Sequence, residues 1–260
     1  GARSQPLPSL GADADVEGMR LARRGFLAQA ALAAAGWLGL GSQPAWAAES
    51  APDPALLACR PADPLQALLD GNRRFARAWA AADAAPTSAA RARILQELWA
   101  GNCYTSARIL KAAQAPWAAV LTCADSRVAP EWIFDAALSD LFVIRSAGNT
   151  ASAEAIASLE YAVDMLATPL ILVMGHSDCG AVRAALGRNP LTPLLTDLVT
   201  PIRAGIQAGD DLDVVISGHA RRVAARIVEG SALIAAAVAR RRVVIHSACL
   251  DIASGRVTLL

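Results

Sequence analysis

Two short segments carry the residues from which a reaction could be built. Cys123-Ala-Asp125-Ser-Arg127 ends one apolar run, and His176-Ser-Asp-Cys179-Gly180 ends another. Two thiols and an imidazole are ligands of the kind zinc takes. A site with three protein ligands keeps its fourth position for water, as catalytic sites do. His176 and Cys179, three residues apart, can hold one ion from a turn entering a helix, and Gly180 admits close backbone approach just behind them. Asp125 and Arg127 set a carboxylate and a guanidinium beside the first thiol. Each segment alone has a plainer reading: a core histidine with a buried thiol, or a turn with a surface ion pair. Together at the ends of two separate runs they point to a metal-assisted reaction. A closed structural site, with Asp125 or another cysteine as fourth ligand, is the main competitor.

The segments can meet only if folding brings the two runs side by side. Trp117 to Thr122, Leu141 to Ile144, Leu170 to Met174 and Val243 to His246 are short apolar runs bounded by turn residues. Such runs are strands buried on both faces, as in parallel sheets. Helical stretches alternate with them, notably Ser152 to Leu166 with Ile156, Leu159, Val163 and Leu166 on one stripe. The pattern predicts an α/β fold: a mostly parallel sheet of four or five strands flanked by helices. In such sheets ligands bind at the carboxyl ends of the strands, where both metal segments lie.

An N-terminal helical arm precedes the first strand. Asp63 reads as the cap and Pro64 as the first turn of a helix with Leu65, Leu68, Leu69 and Phe75 apolar; a second helix is predicted from about Ala89 to Ala100. After His176, Pro190, Pro193 and Pro201 imply a broken helical excursion. Helices from about Val214 to Val228 and Ser231 to Ala239 follow, and a turn at Gly255 comes after the last strand.

A hydrophobic fraction of 55% with 18% charged residues excludes disorder, and a net charge of +1 provides no field for nucleic acid. Residues 1–47 read as an extension and export signal. Arg23-Arg24-Gly-Phe-Leu precedes an Ala/Leu-rich run, and Ala45-Trp-Ala47 offers a signal-peptidase site. The paired arginines resemble a twin-arginine signal, which predicts a periplasmic protein with no stable membrane span after cleavage. Met19, four residues before the arginines, would make a natural translation start. Residues 48–63 read as a linker and 64–260 as the zinc domain. Five cysteines at irregular spacing do not form a disulfide framework; Cys249 reads as a buried small hydrophobe, and Cys59 and Cys103 either pair or stay reduced.

Cys123-Ala-Asp-Ser-Arg-Val-Ala-Pro-Glu131, Arg145-Ser-Ala-Gly-Asn149 and His176-Ser-Asp-Cys179-Gly-Ala181 together resemble the β-class carbonic anhydrases, and the likeness runs from about Pro64 to the carboxyl end. The resemblance implies one zinc per chain held by Cys123, His176 and Cys179, with Asp125 and Arg127 as the catalytic dyad. Gln114, in Gln-Ala-Pro116, is implied near the substrate, and with Gly180 it makes the expected substrate-binding pair. The implied reaction is reversible hydration of carbon dioxide to bicarbonate by zinc-bound hydroxide, in a homodimer or larger homo-oligomer. A carbonyl sulfide or carbon disulfide hydrolase on the same scaffold is the alternative within enzymes. Outside them it is a non-catalytic zinc protein with a closed site. The chain departs from the family at Ser146, where Asn is frequent, and at His219, where Asn is common. His219, near a helix start, is either a proton shuttle or a structural group.

Overall fold

The computed structural model describes residues 54–260; the export signal expected at 1–47 lies outside the described residues. Sixteen elements follow in order, α1 (Pro54–Leu57), α2 (Pro64–Asp83), α3 (Ser88–Gln96), α4 (Ala107–Ala112), β1 (Ala118–Cys123), α5 (Pro130–Ile133), β2 (Leu141–Ser146), a 3-10 turn (Ala147–Asn149), α6 (Ala153–Asp164), β3 (Leu170–His176), α7 (Gly180–Leu186), α8 (Pro193–Arg203), α9 (Leu212–Gly230), α10 (Ala232–Ala239), β4 (Val244–Asp251) and β5 (Arg256–Leu259). The five strands form one sheet in the order β2-β1-β3-β4-β5, parallel except for β5. The α/β architecture is therefore the expected one, with five strands.

Alternation along the strands builds two cores. Ala119 and Leu121 of β1, with Ile171 and Val173 of β3, face α6, α9 and α10. Ala118 and Val120, with Leu172 and Met174, face α2 and α5 on the other side. A period of two sends successive residues to opposite faces, so a strand covered on both sides must be apolar throughout. β1 and β3 are buried along their whole length.

The chain leaves β1 for β2 on one side, then passes back across β1 to reach β3 on the other. The strand order thus reverses between β1 and β3, and a crevice opens there at their carboxyl ends. Cys123 ends β1 and His176 ends β3, so both borders of the crevice carry a metal-type ligand.

α2 begins where expected: the Asp63 side chain accepts from the Gln66 amide at 3.0 Å. Its buried face includes Gly71 and Asn72 beside Leu68 and Phe75. Asn72 donates to the carbonyls of Ile133 and Gly255 and accepts from the Val257 amide at 2.8 Å, which ties α2 to α5 and to the β4–β5 turn. α3 stops short of the expected Ala100, because Trp99 turns left-handed (φ 71°) and gives its amide to Asp135.

Residues 54–63 of the stretch read as a linker are structured. They carry α1, a Cys59–Cys103 disulfide, and Arg60, whose Nη2 donates to the carbonyls of Pro116, Leu166 and Ala167. No helix among the described residues is long and apolar enough to cross a membrane.

Candidate metal centre

The crevice brings together Cys123, His176 and Cys179, whose ligand atoms all lie within 4.8 Å of one another. The two sulfurs are 4.0 Å apart. Sulfurs bound at about 2.3 Å on a tetrahedral zinc sit about 3.8 Å apart, so the pair has the spacing of two ligands on one ion. His176 is fully buried, and its Nδ1 faces the Ser177 carbonyl at 2.8 Å. A carbonyl only accepts, so Nδ1 carries the proton and Nε2 turns a lone pair toward the sulfurs. That Nε2 has no hydrogen-bond partner. A buried ring nitrogen that makes no hydrogen bond yet lies close to two sulfurs fits a cation.

Local backbone explains how the i, i+3 pair converges. Asp178 is left-handed (φ 56°), a conformation Asp tolerates better than most residues. This turns the chain between His176 and Cys179 and makes Cys179 the N-cap of α7. The Ala181 and Val182 amides at that helix start act to lower the Cys179 pKa. Without a cation, two thiols this close cannot both ionise. The bond from Cys179 lowers Cys123, and the same contact, with burial, raises Cys179. Burial works to lower the His176 pKa, but the Cys123 thiolate and Asp125 outweigh it and the net shift is upward. A divalent ion would remove the conflict by favouring thiolate at both cysteines.

Beside these three side chains lies the Asp125–Arg127 ion pair. Arg127 donates to Asp125 Oδ1 from both its amide and Nε at 2.9 Å, and to Oδ2 from Nη2 at 2.7 Å. These bonds hold the Asp125 carboxyl well below the usual carboxylate range. Oδ2 lies 3.9 Å from His176 Nε2, on the ligand side. Arg145, at the end of β2, donates from Nε to the Cys123 carbonyl and from Nη2 to the Asp125 carbonyl. The sequence marks this residue only as part of a motif; its work in fixing the loop after β1 depends on the β1–β2 pairing.

The two residues expected to bind substrate are differently placed. Gln114 is exposed and precedes β1, at the end of the sheet opposite Cys123. Within one chain it is not part of the crevice. Gly180 is exposed beside Cys179, and a side chain there would meet nothing within 4 Å. No neighbouring backbone requires a glycine at that point. His219 is buried, and burial pulls its pKa down to about 4, so it is a neutral internal group and not a surface shuttle. Ser146 closes the turn after β2, with Oγ donating to the Thr150 carbonyl. Cys249 is half-buried, and burial pushes its thiol up to about 11, which leaves it unreactive.

A family model described as carbonic anhydrase matches residues 118–257. A carbonic anhydrase of Mycolicibacterium smegmatis is 39% identical over 159 residues, which is 58% of this chain and 77% of that protein. Carbonic anhydrase 2 of Mycobacterium tuberculosis is 54% identical over a shorter stretch of 77 residues, 30% of this chain and 37% of that protein. Among solved structures, a Coccomyxa β-carbonic anhydrase in complex with acetazolamide superposes with a TM-score of 0.54 at 29% identity, covering 59% of this chain and 76% of that one. A tetrameric β-carbonic anhydrase from Sordaria macrospora gives 0.52 at 28% identity, over 58% and 83%.

Proposed function

Because this chain belongs to the β-class carbonic anhydrase family, we propose that it interconverts carbon dioxide and bicarbonate with one zinc ion held by Cys123, His176 and Cys179. The observation that carries the reading is the buried, partnerless His176 Nε2 facing two sulfurs 4.0 Å apart. Zinc, when bound, supplies a Lewis acid that eases ionisation of water near neutral pH, chemistry for which carbonic anhydrases are themselves the reference case. Two thiolates cancel the charge of the dication, so this site leans more on its own residues.

Asp125 is the first of these. Its Oδ1 accepts two bonds from Arg127 and its Oδ2 only one, so Oδ2 keeps acceptor capacity on the ligand side. There it orients a nucleophilic water and draws on its proton. Arg127 keeps the carboxylate ionised and turned away from the ligands through a bidentate, charge-assisted pair. A mostly apolar cleft of about 340 Å³, lined by Phe75, Trp79, Trp132 and Leu250 among others, reaches Arg127. An apolar gas is better accommodated in such a cleft than an ion is.

Stopped-flow hydration of carbon dioxide by the zinc-loaded protein tests the proposal. Activity at pH 8.5 that is abolished by Asp125→Asn and by Cys179→Ser is the expected result. Full zinc occupancy with no hydration would leave the closed, non-catalytic site standing, and turnover of carbonyl sulfide alone would favour the hydrolase.

Assembly and location complete the proposal. A homodimer or larger oligomer is supported by the tetrameric Sordaria relative, and sedimentation checks it. Periplasmic export by the twin-arginine route is supported by Arg23-Arg24 in the sequence and by the Cys59–Cys103 bridge, a bond that persists in oxidising compartments. Cell fractionation with an Arg23→Lys, Arg24→Lys variant is the test.

A further inference from the structure

His219 is a histidine for which the proposed reaction has no direct use. It sits in α9, 1% exposed, with Nε2 at 2.9 Å from the Gly148 carbonyl. Since the carbonyl can only accept, the hydrogen-bond network assigns the ring proton to Nε2. Nδ1, correspondingly, has no partner. Burial, with the Arg222 cation adding to it, keeps the ring neutral.

Gly148 leads directly to the ligands. Its amide donates to Cys123 Sγ at 3.3 Å. Its backbone is left-handed (φ 69°), and a side chain there would meet Ile202 Cδ1 at 2.9 Å and Ala181 Cβ at 3.0 Å. Only glycine suits that position, yet glycine is also the residue with most freedom to leave it. The carbonyl anchor restrains that freedom. His219, Gly148 and the Cys123 sulfur thus form a continuous chain of two hydrogen bonds.

We propose that His219 is a positioning residue for the metal centre, holding the Gly148 turn so that its amide stays aimed at the Cys123 sulfur. The inference rests on the zinc reading above. An N–H bond to a thiolate stabilises the anion and fixes its direction toward the cation while drawing some charge from sulfur. Losing it costs zinc affinity and leaves the sulfur more electron-rich. Direct hydrogen-bond partners of metal ligands typically matter by about 10- to 100-fold in metal affinity or activity, and His219 acts through one of them, Gly148.

The cobalt-substituted protein is the probe, because its thiolate-to-cobalt charge-transfer band reports charge on sulfur. In His219→Met the band is expected to move to longer wavelength, and zinc affinity, read by chelator competition, to fall about 10-fold. His219→Gln, which keeps a donor at nearly the same reach, is expected to return both toward the original values. A Met variant with an unshifted band and unchanged affinity overturns the proposal, as does a Gln variant that behaves like Met. If His219→Met does not fold, nitrogen-15 spectra of the unaltered protein decide. A proton on Nε2 of His219 supports the relay and a proton on Nδ1 overturns it. An unaltered protein that shows no thiolate band with cobalt would overturn the metal reading itself, and this inference with it.

Discussion

Arg127 takes hold of both oxygens of Asp125, Nε on Oδ1 at 2.9 Å and Nη2 on Oδ2 at 2.7 Å. The carboxylate that would orient the water stands two residues from a ligand, close enough to become a ligand itself. What separates the two outcomes is the guanidinium. Folding favours ionised Asp125, so the pair is intact above the unfolded carboxylate pKa of about 4 and is lost only as pH falls through the depressed folded value. Between pH 6 and 9 protonation of Asp125 therefore does not break the dyad.

Losing the arginine should. In Arg127→Ala we expect hydration to fall about 10- to 100-fold. A crystal structure of the zinc-loaded variant should show an Asp125 oxygen at about 2.0–2.2 Å from the metal. A carboxylate that stays off the metal would show that Arg127 does not set the open state.

Cys179 is 1% exposed and is the N-cap of α7, so its sulfur is fixed by the helix start. Replacing it with serine swaps a soft ligand for a weak one. Zinc content measured by atomic absorption should fall from about one per chain to near zero, with far-ultraviolet circular dichroism preserved. Retention of a full equivalent would mean that another side chain completes the site.

His219 gives the protein an acid-sensitive window. Its folded pKa, about 4, lies below the unfolded value of about 6.5, so the unfolded chain binds more protons between them. Stability from this group is complete above pH 6.5 and is lost as pH falls toward 4, by up to roughly 3 kcal/mol. Urea midpoints recorded across that range should flatten in His219→Gln, which cannot titrate. An unchanged pH slope in the variant would assign the loss to other groups.

The Cys59–Cys103 bridge closes a loop across 44 positions and fastens α1 ahead of the α2 arm. Cys59→Ser should cost about 2–4 kcal/mol in chemical denaturation. Reductant should lower the denaturation midpoint of the unaltered protein and leave that of the variant where it is. Equal sensitivity of the two proteins would place the redox effect at Cys123 and Cys179.

Strand ends were the legible part of the sequence, because a strand covered on both faces must be apolar and a ligand stands out where the run stops. Cys123 and His176 are such residues. The Asp63 cap was legible for a local reason, a side chain bonding an amide three residues on. β5 was not, since only Val257 and Leu259 alternate in a four-residue antiparallel edge. The bonds from Arg145 and His219 were hidden differently. Each joins a side chain to a backbone atom on another element, 71 positions away in the case of His219 and Gly148. Backbone acceptors carry no residue identity, so no motif records such a pairing. The placement of Gln114 was legible as well: it precedes β1 while Cys123 ends it, so the length of the strand separates the two within one chain.

The meeting of Cys123 and Cys179 across 56 positions has a mechanical meaning as well. A cation held by both ends of that span is a cross-link, and it closes a loop as a disulfide does. Whatever zinc does for catalysis, it then also resists separation of β1 from β3, and the energy with which it is bound becomes energy against unfolding. Removal of such an ion would loosen the middle of the sheet, so the three side chains of the proposed reaction would also serve as a clasp.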